Sequence, residues 1–274
     1  MKVMVNSIPK GGTHLLLKLV YLLGIHDDPN RFWLGAGQIN RGFISFNKLV
    51  KGGYRKEIVT IGCETPVQVG VNWLNKKLSQ IPDGNSFGAH CNYSEALSQV
   101  LKSNDIKPVC IIRDPRAIAA SHMHYIMTWE KHFFHKSYME LNSDKERLKF
   151  SITGGKLGKF DVAPLSERYL NFYNWNLDSS AICVRFEDLV GPNGGGEQLK
   201  QYEAIQKVSK HLNVELSESD IQAIASNVYG SSNTHTTSNT YRKGKIDSWR
   251  EELDRELIKI LDEEVVEILN KFGY

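Results

Sequence analysis

Short apolar runs recur along the chain, and each gives way to a polar or glycine-rich break and then to apolar residues at helical spacing. Residues 3–7 predict a buried strand, and residues 13–23 predict a helix with Gly24 as its C-cap. Further strands are predicted over 58–61, 86–90, 107–112 and 181–186. Helices are predicted over 67–78, 94–101, 115–129, 165–175, 197–212, 217–228 and 248–272. Pro115 suits the first helical position, and Ser217 with Asp220 suits a helix start. Strands that alternate with helices predict an α/β fold with a central, mostly parallel sheet flanked by helices. No internal repeat appears, so residues 1–274 are expected to form one domain, with insertions near 27–56 and 129–160.

The insertions are where the periodic pattern fails. Phe32, Trp33, Phe43, Phe46 and Tyr54 are scattered among glycines in the first, and Trp129, Phe133 and Phe134 sit beside His132 and His135 in the second. Such aromatics suit a pocket for a compact, partly apolar small molecule. They equally suit anchors of surface loops or core. Residues 151–159 are glycine-rich and predicted mobile.

Composition narrows the classes. The chain has 274 residues, 41% hydrophobic and 24% charged, which is enough for a sizeable core. A net charge of +3 fits an anionic ligand without calling for nucleic acid. The four cysteines, Cys63, Cys91, Cys110 and Cys183, form no C-x-x-C pair, so a zinc site is not expected. The apolar stretch 15–25 carries Lys18 and is too short to span a bilayer. The chain begins directly in a strand, with no leader-like segment. These features predict a cytoplasmic protein, monomer or homodimer, with neither membrane nor nucleic-acid partner.

Candidate chemistry falls at strand ends, where parallel sheets place their ligands. Lys10, His90, Arg113 and Glu187 each follow a predicted strand. The break Pro9-Lys10-Gly11-Gly12-Thr13 runs from a strand into a helix, and unpaired N–H groups at a helix start form an anion pocket. Lys10 precedes the glycines, whereas a triphosphate loop places Lys after them. The strand over 107–112 leads to Arg113 and not to a carboxylate for Mg²⁺. Both points favour a metal-free anion site. Arg113 is placed for an oxyanion, or pairs with Asp114 or a surface carboxylate. Ser121 lies about two helical turns on, where it could line the same groove. Residues 241–245, Tyr-Arg-Lys-Gly-Lys, read as a flap over a dianion or as a solvated face. His90 is either structural or a proton acceptor.

Taken together, these motifs resemble the PAPS-dependent sulfotransferases. Residues 8–13, Ile-Pro-Lys-Gly-Gly-Thr, resemble the family's 5′-phosphosulfate loop. Residues 112–121 resemble its 3′-phosphate motif, with the Arg-to-Ser spacing kept. Residues 185–189, Arg-Phe-Glu-Asp-Leu, resemble its Tyr-Glu-Asp-Leu segment. Arg242-Lys243-Gly244 with Asp247 and Trp249 resembles its Arg-Lys-Gly flap, and His90 matches its general base. The matches run in family order from residue 7 to residue 250.

The resemblance implies a P-loop NTPase-like three-layer sandwich. It implies transfer of a sulfuryl group from 3′-phosphoadenosine 5′-phosphosulfate (PAPS) to a hydroxyl or amine of a small-molecule acceptor, leaving the bisphosphate PAP, with no metal. Lys10 would contact the phosphosulfate bridge, and Gly11, Gly12, Thr13 and His14 would hold the 5′-phosphate. Arg113, Ser121, Arg242, Lys243 and Gly244 would hold the 3′-phosphate, with Phe186 and Tyr229 near adenine. Gly11 stands where the family has Ser, Leu15 where an aromatic is frequent, and Ile246 and Ser248 depart from the flap. The alternative is a P-loop small-molecule kinase using ATP and Mg²⁺.

Overall fold

The computed structural model describes residues 1–35, 57–230, 244–251 and 253–274. Its main sheet has six strands, all paired in parallel: β1 (Lys2–Ser7), β2 (His26–Asp27), β3 (Trp33–Leu34), β6 (Asn85–Ala89), β7 (Ile106–Ile112) and β10 (Ile182–Arg185). The order is β10-β7-β1-β6-β2, with β3 following β2 along the same edge of β6. β1 is therefore central. Its residues pair Val3↔Ser86 through Asn6↔Ala89 on one side and Lys2↔Ile106 through Ser7↔Ile111 on the other.

Apolar runs in these strands are continuous because both faces are covered, and alternate residues enter different cores. Val3 and Val5, with Val109 and Ile111, pack against α1 (Thr13–Leu22) and two later helices, α9 (Gln198–His211) and α10 (Glu218–Val228). Met4, Phe87, Cys110 and Ile112 face the other side. There they meet α3 (Glu95–Ser103), α4 (Pro115–Thr128), α7 (Leu165–Tyr173) and α11 (Arg255–Phe272). All four cysteines are buried. Among the described residues, no helix is long and apolar enough to cross a membrane.

Several predicted elements came out differently. The helix expected over 67–78 begins as a strand, β5 (Val67–Gly70), before α2 (Val71–Leu78). β5 pairs antiparallel with β4 (Ile58–Ile61) in a hairpin apart from the main sheet, because Val-x-Val alternation can satisfy a strand before the helical spacing takes over. The strand expected over 181–186 stops at Arg185, and Phe186 opens the short helix α8 (Phe186–Leu189). The terminal helix is broken: a turn over Ser248–Glu251 precedes α11, which Asp254 caps by accepting the Leu257 N–H. The insertion at 129–160 contains two helices, α5 (His135–Met139) and α6 (Asp144–Thr153), and β8 (Gly155–Leu157) of the hairpin completed by β9 (Phe160–Val162). Ile126, Phe134, Tyr138, Phe150, Leu157 and Val162 give it a small core of its own; of the glycine-rich stretch predicted mobile, Leu157 enters that core while Gly155, Lys156, Gly158 and Lys159 are exposed. Most of the 27–56 insertion lies outside the described residues.

Candidate active site

Four neighbouring strands, β10, β7, β1 and β6, each lead into one candidate residue, directly for three of them and after a three-residue step for β1. These are Phe186, Arg113, Lys10 and His90. The loop after β1 is tight. Gly11 N–H donates to the Ile8 carbonyl at 2.8 Å, Lys10 takes a left-handed φ of 70°, and Gly12 takes φ 108°. A left-handed non-glycine residue is costly and is found where the surroundings impose it. Gly12 has a second constraint, since a Cβ there would stand 2.7 Å from Cδ2 of Phe186. Gly12 is the N-cap of α1 with no side-chain cap, so the first N–H groups of the helix are left for an anion. Thr13 is buried, its hydroxyl 2.5 Å from the Ser7 hydroxyl. His14, in the first turn of α1, is exposed. Crowding by protein atoms, then the nearby Lys10 and His90, lowers its imidazole to about 4, although solvent at the ring tempers that desolvation.

His90 is held from β1. Its Nδ1 lies 2.8 Å from the Ser7 carbonyl, its backbone N–H donates to Leu34 at 2.9 Å, and its ring packs 5.1 Å from Trp33. A carbonyl only accepts, so Nδ1 carries the proton and Nε2 keeps its lone pair. Burial lowers the pKa of His90, and the Lys10 cation adds to this; the Ser7 carbonyl and the Glu64 carboxylate oppose it. The next residue is clamped as well. Asn6 donates to the Cys91 carbonyl at 3.0 Å and accepts the Cys91 N–H at 2.9 Å, and Trp175 Nε1 donates to the same carbonyl at 3.0 Å. Trp33 reaches the site only because β6 has Gly88, where a Cβ would stand 2.3 Å from its ring.

Arg113 is buried, with its guanidinium 4.2 Å from the Phe186 ring centroid and Nη1 donating to the Lys10 carbonyl at 3.3 Å. Asp114 does not pair with it. That carboxylate caps α4 through the Arg116 N–H at 2.8 Å and takes three bonds from the Arg116 guanidinium. The strand end is further held by Tyr169, whose hydroxyl donates to the Arg113 carbonyl, and by Glu187, which accepts the Asp114 N–H at 2.8 Å. Glu187 also accepts from Tyr274 at 3.0 Å, and burial raises its pKa. Glu187 thus braces the neighbouring strand.

Other candidates are more dispersed. Ser121 is half-buried on α4, two turns beyond Arg113. Tyr229 is buried at the end of α10, beside the 191–196 turn, where a Cβ on Gly194 would stand 3.3 Å from its Cζ. Gly244, with φ 61°, leads into Ile246, whose N–H donates to Gly194 at 3.0 Å, so the base of the expected flap docks on that turn. Trp249 is 1% exposed and packs under Arg116 as core. Arg242 and Lys243 lie outside the described residues.

A second cluster was not anticipated. Glu64, from the turn after β4, is buried with Oε1 2.7 Å from His122 Nε2 and 3.2 Å from Arg168 Nη1. Burial alone would raise its pKa, but His122 and Arg168 overcome that and hold it down at about 2. Ser151 receives the other side of this network, 3.0 Å from His122 Nδ1 and 2.7 Å from the Tyr138 hydroxyl. Beside it Tyr125, one turn beyond Ser121 on α4, has its ring 4.3 Å from Lys10 Nζ. Asn6 and Ser7 could have been found from sequence, because polar residues closing a buried strand must find partners. Glu64 carried no such signal.

A family model described as a sulfotransferase domain matches residues 1–273. The chain belongs to the sulfotransferase family. No curated protein matches it significantly by sequence. Among solved structures, this sulfotransferase is similar to mouse sulfotransferase SULT7A1 complexed with PAP, with TM-score 0.60 and 17% identity over 98% of this chain and 84% of that one. It is also similar to retinol dehydratase in complex with androsterone and inactive cofactor PAP, with TM-score 0.59 and 18% identity over 98% and 80%. A retinol dehydratase complex with retinol and PAP gives TM-score 0.55 and 16% identity over 98% and 81%. The parallel sheet flanked by helices is thus the sulfotransferase fold, of P-loop NTPase type.

Proposed function

We propose that this sulfotransferase transfers the sulfuryl group of PAPS to a hydroxyl or amine of a small-molecule acceptor and releases PAP. When bound, the donor supplies an activated sulfuryl group on its 5′-phosphate. The residues fit such a molecule. The uncapped start of α1 offers its first N–H groups to one phosphate, and the turn before it is tight at Gly11, where a Cβ would stand 2.8 Å from the Ile8 carbonyl. Arg113 supplies a cation for a second phosphate one strand away.

His90 Nε2 takes the acceptor's proton as the acceptor attacks in line. Lys10 neutralises the charge that grows on the phosphate oxygen left behind. The first turn of α1 holds the 5′-phosphate. Arg113, with Ser121 and the residues from Arg242 to Gly244, holds the 3′-phosphate. Phe186 and Tyr229 lie on the adenine side. The chain contributes placement and fixed charge, each charge-assisted contact being worth about 1.5–3 kcal/mol.

The observation that carries this reading is the bond from His90 Nδ1 to the Ser7 carbonyl, which leaves Nε2 as the base on the strand next to Lys10. The test is incubation with radiolabelled PAPS and a panel of phenols, alcohols and amines, with and without EDTA. Labelled product in both arms is expected. Absence of any labelled product, together with Mg²⁺-dependent consumption of ATP, would overturn the reading.

A further inference from the structure

The loop around Lys10 is Pro9, Gly11 and Gly12, and none of these side chains can accept a hydrogen bond. A lysine on a flexible four-carbon stem still has to be aimed if its charge is to meet one oxygen. The ammonium lies over an aromatic face, 4.3 Å from the centroid of Tyr125. That face is itself held. The Tyr125 ring lies 5.2 Å from Trp129 at an interplanar angle of 32°, and 5.2 Å from His132 edge-on at 74°. His132 is stacked 4.6 Å from Phe133, and its Nδ1 accepts the Phe134 N–H at 3.2 Å. The backbone closes the same unit, with Trp129 N–H donating to Tyr125 at 3.1 Å and His132 N–H to Trp129 at 2.8 Å. A ring braced on two sides does not turn away from the cation.

We infer that Tyr125 is a positioning residue for Lys10: its ring face, fixed by Trp129 and His132, holds the Lys10 ammonium at the strand end where it acts. An aromatic face suits this task. It attracts a cation by its quadrupole, yet competes less than a carboxylate would when a phosphate oxygen arrives. The inference rests on the charge role proposed for Lys10, and its test separates the two.

The contact is read by NMR of lysine CεH₂ groups in the full chain, with the Lys10 signal identified by its loss in Lys10→Arg. Tyr125 should shift this signal upfield by its ring current; Tyr125→Phe should keep the shift and Tyr125→Leu should abolish it. Function is read by the slow release of labelled sulfate from PAPS to water. Tyr125→Leu should slow it about 2- to 30-fold, the range of a cation–π contact, and Tyr125→Phe should recover most of the loss. PAP affinity, measured calorimetrically, should stay within about twofold in both variants, since the ring acts through Lys10 and not on the nucleotide. A Lys10 signal unmoved by Tyr125→Leu overturns the inference. So does unchanged turnover in Tyr125→Leu where Lys10→Ala loses it. Native turnover in Lys10→Ala instead overturns the charge role of Lys10, and the NMR shift then decides whether Tyr125 holds it.

Discussion

Lys10, His90 and Arg113 follow three adjacent parallel strands, and backbone carbonyls hold two of them: that of Ser7 for His90 and that of Lys10 for Arg113. Glu64, His122, Arg168, Tyr125 and Trp129 come from a hairpin turn and two helices, and are held by one another's side chains. Strand-end placement is cheap in sequence, because the pleat and the register already place His90 and Arg113, whereas Lys10, three residues past β1, is aimed by the Tyr125 ring. Side-chain placement needs every partner present at once. The first arrangement should therefore tolerate loss of a chemical group without unfolding, and the second should not.

His90→Ala is the largest expected effect on turnover. It should lower kcat about 10²- to 10⁴-fold, the usual worth of a general base, while the melting temperature and PAP affinity stay close to native. Retained turnover would remove His90 from the reaction. Glu64→Gln tests the other arrangement. It leaves Arg168 buried without its countercharge, and should cost about 3–5 kcal/mol of stability in denaturant titration. A loss below about 1 kcal/mol would mean that the network is no more cooperative than a surface pair.

Arg113→Ala should weaken PAP by about 10- to 150-fold, the equivalent of one charge-assisted contact, and adenosine 5′-phosphate far less. Equal losses for both nucleotides would count against a 3′-phosphate role. The smallest effects are in pH. Because the folded pKa of His90 is lowered, the neutral base persists below the ordinary histidine value of about 6.5, and the acid limb of kcat/KM should fall below that pH. Glu64 opposes this lowering, so Glu64→Gln should move the limb lower still; movement upward would contradict the arrangement. For stability the sign is that of a depressed carboxylate. The contribution of Glu64 is complete above the unfolded pKa of about 4.3 and is lost as pH falls towards about 2.

The two arrangements also differ in how legible they were. The 107–112 run and the 3–7 run announced buried strands, and the Pro-Lys-Gly-Gly-Thr break announced a turn into a helix. Those signals are local, depending on periodicity and on glycine's backbone freedom. Misreadings occurred where two periods overlap, as in 67–78, or where a long helical pattern hides an internal start, as at Asp254. Trp249, in the segment that resembles the flap, is buried, which the motif could not tell because it states residue type and not burial.

Sequence alone determined the α/β class, the order of the strand-end residues and the membership of a sulfotransferase lineage, all of which are carried by contiguous segments. Tertiary structure decided that Ser7 selects the tautomer of His90, that Gly88 admits Trp33, that Glu64 is a buried anion and that Lys10 lies on Tyr125. Each of those joins residues many positions apart. Strand order joins Ser7 to His90 and Gly88 to Trp33, helix packing brings His122 to Glu64 and Tyr125 to Lys10, and no periodicity along one segment encodes which element becomes the neighbour of another.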